Sequence, residues 1–122
     1  MNKLEYQIDC LDGAYNFTAE FEDNVIFNIE TNIGSLNSFS GELDENTSRQ
    51  FIEEIEKAQI EKWDKEYKTE MSEIEDGIKW QMRYLKDDKE YVSCGEESYQ
   101  PYNYEHLVKA IRLCDEKNEY LF

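Results

Sequence analysis

From Ile78 onward, alternate side chains are large and apolar: Ile78, Trp80, Met82 and Tyr84 share one side of an extended chain, and Lys79, Gln81 and Arg83 share the other. A period of two fits a strand with one buried face, whereas a helix would scatter the same residues around its circumference. Asp87-Asp88 then fits the short loop of a hairpin that returns through Tyr91-Val92-Ser93-Cys94, giving a hairpin over 78–94. The same alternation opens the chain. Leu4, Tyr6, Ile8 and Cys10 alternate with Lys3, Glu5, Gln7 and Asp9, and Asp12-Gly13 is a turn signal. Tyr15, Phe17, Ala19 and Phe21 follow, then the polar triplet Glu22-Asp23-Asn24, then Val25, Phe27 and Ile29. This pattern predicts a β-meander over 3–31 with one aromatic, buried face and one polar face rich in acids. Ile26 interrupts the polar face, so that strand is expected to be partly covered on both sides.

The period changes further along. Residues 31–46 carry the loop signals Gly34, Ser35, Asn37, Ser38, Ser40 and Gly41, with Leu36, Phe39 and Leu43 spaced to pack as an irregular edge strand. A helix over 47–60, opening at Asn46-Thr47, places Phe51, Ile52, Ile55 and Ala58 on one stripe. Ile60 and Trp63 leave that stripe, so the helix should end or bend between 59 and 63. Beyond it, the spacing of four between Trp63, Tyr67 and Met71 fits a helical extension, with a wrapped loop as the alternative. A second helix, 103–116, follows Pro101, with Asn103 as its N-cap and Leu107, Ala110, Ile111 and Cys114 as its apolar series. The expected fold is α+β: a mainly antiparallel sheet of about five strands with two principal helices packed on it, in a single compact domain spanning 1–122.

Composition agrees with a packed core. Nine Tyr, six Phe and two Trp in 122 residues supply enough apolar surface to exclude a disordered chain, although the mean hydropathy is -0.87. The N-terminus lacks the apolar stretch of an export signal and no apolar run approaches a membrane span, so a cytoplasmic location is expected. Cys10, Cys94 and Cys114 are isolated and odd in number, as reduced core residues would be. The net charge of -16 is the strongest global anomaly, and eleven of those charges fall in residues 1–61. A field of that sign repels nucleic acid and anionic membranes and attracts basic protein surfaces.

Residues able to carry chemistry are few. His106 is the only histidine and is expected as a surface residue in the first turn of the last helix, beside Glu105. The spacing of Cys94, His106 and Cys114 matches no zinc signature. The sequence holds no calcium loop, phosphate-cradling glycine loop, nucleophile elbow or paired-histidine metalloprotease motif. No enzymatic activity, cofactor or metal is expected. The partner-binding candidates are instead charged and aromatic. Glu20, Glu22 and Glu30 can share the polar face of the first sheet, because residues two apart on a strand point the same way. Glu53, Glu54 and Glu56 line the exposed side of the first helix. Tyr99 and Tyr102, with Tyr104, Tyr120 and Phe122, either pack onto the sheet or supply interface area at little cost in entropy.

The series Trp63…Tyr67…Asp76-Gly77-x-x-Trp80…Gly95…Pro101-x-Asn103, followed by a short helix, resembles a pattern in small uncharacterised bacterial proteins, some of them immunity-type partners of toxins. It covers about residues 47–114. The resemblance implies an α+β fold and an inhibitor role; its motif residues read as a turn, a core Trp, a loop Gly and the start of a helix, and it carries over no catalytic residue. Charge and resemblance together lead to an expected function: a small acidic, non-catalytic protein that inhibits a basic, nucleic-acid-acting partner. A toxin immunity protein and a phage-encoded inhibitor of a defence nuclease both fit that description. The alternative is a structural or regulatory homo-oligomeric domain whose acids only keep it dissolved.

Overall fold

The computed structural model describes residues 2–67, 78–96 and 99–118. Among the described residues the chain folds as an α+β structure in which two helices lie on one face of a seven-stranded mixed sheet. The strands are β1 (Asn2–Cys10), β2 (Gly13–Phe21), β3 (Val25–Thr31), β4 (Phe39–Glu42), β5 (Glu66–Tyr67), β6 (Lys79–Lys86) and β7 (Lys89–Glu96). The helices are α1 (Glu45–Ala58) and α2 (Tyr104–Cys114). Across the sheet the order is β4-β3-β2-β1-β6-β7-β5.

β1 is the strand on which the two alternating regions meet. It pairs antiparallel with β2, Tyr6 opposite Phe17, and on its other side antiparallel with β6, Tyr6 opposite Met82. This register puts Leu4, Tyr6, Ile8, Tyr15, Phe17, Trp80, Met82 and Tyr84 on a single buried face. A slip of one residue would turn the whole set toward water, which is why the alternation specifies the pairing so strongly. α1 covers the β2 side of this face through Phe51, whose ring meets Phe21 at 5.3 Å edge-on. α2 covers the β6 side through Tyr104, 5.1 Å from the Trp80 ring centre.

The turns follow their local chemistry. Asp87 and Asp88 both take positive φ, 51° and 64°, the left-handed pair that matches the twist of a two-residue hairpin. Gly13 sits at φ 140°, and a side chain there would collide with Asn32, whose Oδ1 accepts the Ala14 amide. α1 ends at Gln59, in the left-handed region at φ 51°, and a single 3-10 turn, Ile60–Lys62, follows. This is the break expected between 59 and 63.

Several expectations need correction. The sheet has seven strands because two short edges join it: β4, antiparallel to β3, and β5, parallel to β7. After the 3-10 turn ends at Lys62, the described residues 63–67 are not helical. Trp63 turns its indole N–H back onto the Ala58 carbonyl at 2.7 Å, and residues 66–67 form β5; Met71 lies outside the described residues, as does Asp76-Gly77. α1 begins at Glu45, two residues before the expected start, because Asp44 is its N-cap: the carboxylate accepts the Thr47 amide at 2.7 Å, and that bond holds its pKa below the usual value. α2 spans 104–114, shorter at both ends than expected, and although Asn103 stands at the N-cap position its side chain makes no capping bond and reaches Gln59 instead.

Gly95 is not in a loop. It lies on β7 opposite Trp80, and an added Cβ would come within 2.8 Å of both the Trp80 ring and the Tyr99 carbonyl. Ile26 is 56% exposed, so β3 is covered on one face only. Of the cysteines only Cys114 belongs to the core; Cys10 and Cys94 are half-buried, and all three are free thiols. Among the described residues, no helix is long and apolar enough to cross a membrane.

Candidate functional site

Seven acids of the first sixty residues come together at one corner of the fold, and the backbone explains how. The Val25 amide donates to the buried Ser48 Oγ at 2.9 Å, Ser48 donates to the Leu43 carbonyl at 3.2 Å, and the Leu43 amide donates to the Val25 carbonyl at 2.9 Å. These three bonds fasten the first turn of α1 to the start of β3, so the Glu22-Asp23-Asn24 turn must stand beside the helix. On α1, residues 45, 49, 52, 53 and 56 recur at helical spacing and share the stripe that faces this turn.

A groove of about 540 Å3 results, lined by Glu22, Asp23, Asn24, Glu45, Arg49, Ile52, Glu53 and Glu56. The single base in that lining, Arg49, is held by Glu45 at 3.5 Å one turn away. A second concavity, of about 320 Å3, continues round the turn onto the uncovered face of the sheet, where Glu20, Ile26 and Glu42 join Glu22 and Asp23. The strand register places Ile26 between Glu20 and Glu42. An exposed isoleucine therefore stands inside a ring of carboxylates on this side of the turn, with Ile52 in the matching position on the other.

The predicted site residues divide. Glu22, Glu53 and Glu56 share the first groove, and Glu20 shares the second with Glu22. Glu22 does not lie on the polar sheet face; it belongs to the turn beyond β2. Glu30 does lie on that face, opposite Asn16, but four residues along β3 from Ile26, about 14 Å away at strand rise. It accepts from Asn28 and stands apart from the corner.

Glu54 is not on the free side of α1. Its carboxylate meets the His106 Nδ1 at 2.7 Å and Lys57 at 3.8 Å, and its side chain is only 20% exposed. His106 is accordingly not the plain surface residue expected of it but a tie between the two helices. Tyr102 is 96% exposed and Tyr99 40% exposed, whereas Tyr104 is buried; Tyr120 and Phe122 lie outside the described residues. Because Asn103 contacts Gln59, Tyr102 flanks the C-terminal end of α1, about 20 Å of helix from Glu45 but only one turn from Glu56. Neither Tyr99 nor Tyr102 lines the two acidic concavities.

Asp23, Glu42, Glu45, Ile26 and Ile52 belong to the corner and were not among the predicted residues. Recognising Asp44 as the cap would have placed Glu45 on the stripe of Glu53 and Glu56. Nothing in the sequence ties Glu42 to Glu20, since that neighbourhood depends on the pairing of β4 with β3. Among the described residues, no group of three or more His, Cys, Asp or Glu side chains is arranged to hold a metal ion. No protein-family model and no curated protein matches this sequence.

Proposed function

We propose that this chain is a small, non-catalytic acidic protein that binds and inhibits a basic partner by covering the surface the partner uses for nucleic acid, as a toxin immunity protein or an inhibitor of a defence nuclease does. One observation carries the reading: carboxylates from the β2–β3 turn and from α1 gather round Ile52 in a groove whose one base is already paired with an acid. Surrounding acids would steer a cationic partner and speed encounter, and the exposed Ile26 with the half-buried Ile52 would supply the desolvated contact that sets the lifetime of the complex. The competing picture, a homo-oligomer built by joining sheet edges, draws less support. The edge strand β4, four residues long, offers few free backbone groups for pairing.

The test is capture of the partner from the native host, followed by association kinetics against Glu22→Lys, Glu53→Lys and Glu56→Lys, singly and together. Glu54 stays untouched because it holds the helices together. The triple variant is expected to fold and to associate at least about tenfold more slowly at low salt, with the wild-type advantage shrinking as the Debye length falls toward ~8 Å. An association rate indifferent to both charge reversal and salt would reduce the acids to a solubilising role.

A further inference from the structure

A second cavity, of about 520 Å3, lies between α2 and the β1–β6 part of the sheet and shares no lining residue with the acidic corner. Ile8, Ile78, Trp80, Tyr104 and Val108 form its apolar and aromatic wall. From α2, Glu105, Lys109 and Arg112 also line it, at the spacing that keeps them on one helix face with Val108. In a chain of net charge -16, two bases against one acid invert the local sign. Arg112 has an interaction of its own, whereas Lys109 has no ion-pair partner among the described residues.

We propose that this cavity binds a small apolar monocarboxylate, its hydrocarbon body against the half-buried Ile78 and Val108 and its carboxylate on Lys109. The volume falls in the range of small-molecule sites, roughly 300–1,000 Å3, and a mostly apolar wall with a few polar groups at one side is their usual make-up. A charge-assisted contact to an ammonium fixes one carboxylate. A second negative group would have to enter the apolar wall or approach Glu105, so dianions are disfavoured. This inference does not depend on the acidic corner.

The probe is hydrocinnamate, with the neutral hydrocinnamamide as its control, titrated while the Trp80 indole N–H resonance and the amide resonances of α2 are followed. The acid is expected to give a saturable shift confined to β1, β6 and α2, and the amide to bind at least about tenfold more weakly, as loss of a charge-assisted hydrogen bond implies. Lys109→Glu, an exposed helix position that should leave the fold intact, is expected to weaken the acid by about the same factor and to leave the amide unchanged. Val108→Trp, which fills the space, should abolish binding of both, with circular dichroism confirming the fold. Absence of a saturable shift, equal affinity for acid and amide, or undiminished binding by Lys109→Glu would each overturn the proposal.

Discussion

The Tyr15 hydroxyl donates to the Asp115 carboxylate at 2.6 Å, joining β2 to the residue that ends α2. The same carboxylate accepts the Lys117 and Asn118 amides at 3.1 and 3.0 Å and the Asn118 side chain at 3.1 Å. Asn118 passes the connection on, exchanging hydrogen bonds with the Asn37 backbone at 2.7 and 3.0 Å. Burial, and then the bond to Asp115, pushes the Tyr15 pKa well above its ordinary value. Asp115→Ala should therefore strand several buried donors at once and cost about 3 kcal/mol, and Tyr15→Phe about 1 kcal/mol. A double-mutant cycle by chemical denaturation is expected to show a coupling of about 1–3 kcal/mol. Additive losses would mean that the two groups are satisfied independently.

Trp80 is 2% exposed and is ringed by Trp63, Tyr67 and Tyr104 at centroid distances of 6.2, 5.9 and 5.1 Å. Its indole N–H is shared by the Glu96 and Tyr99 carbonyls at 3.2 and 3.3 Å. Trp80→Ala is expected to cost ~3–5 kcal/mol in lost transfer energy and cavity. Gly95→Ala attacks the same cluster from outside. Its methyl would press on backbone carbonyls that cannot rotate away, for ~1–3 kcal/mol of overpacking. Melting temperatures within a few degrees of wild type for either variant would contradict the packing described.

The buried Tyr6–Tyr104 hydroxyl pair gives the fold an alkaline limit. Burial pushes the Tyr104 pKa up to about 12, and it pushes Tyr6 further in the same direction. Both phenols are neutral in folded and unfolded chains below the ordinary tyrosine value near ~10, so their contribution is fully present there. Above that pH the unfolded chain ionises while the folded one resists, and stability is lost as pH climbs through about 12 and beyond. Denaturation midpoints taken across this range should fall steeply for wild type and less steeply for Tyr6→Phe. Parallel slopes would exclude the pair as the source.

Neighbouring acids on α1 should answer mutation differently. Glu54→Ala removes the contacts to His106 and Lys57 and is expected to lower stability by about 1–2 kcal/mol. Glu53→Lys and Glu56→Lys, on the solvent side, should stay within about 0.5 kcal/mol of wild type. Equal urea midpoints for all three would show that the helix tie contributes nothing.

The sequence by itself determined the five longer strands, the buried face of each and the break in α1. Alternation such as Ile78, Trp80, Met82 and Tyr84 admits one buried face whatever lies beside it, and Asp87-Asp88 closes a hairpin through local backbone preference alone. These are properties of residues a few positions apart. Non-local contacts decided the rest. That β1 would take β6 on its free edge, that β5 would add a parallel strand of two residues, and that Ser48 would pin α1 against Val25 all depend on segments brought together only by collapse of the core. The functional surface follows the same division. Charge excess in the first half was legible from counting, but Glu54 and Glu56 are two residues apart on one helix. Only the placement of α2, with His106 at its first turn, turned one of them inward and left the other in the groove beside Glu22.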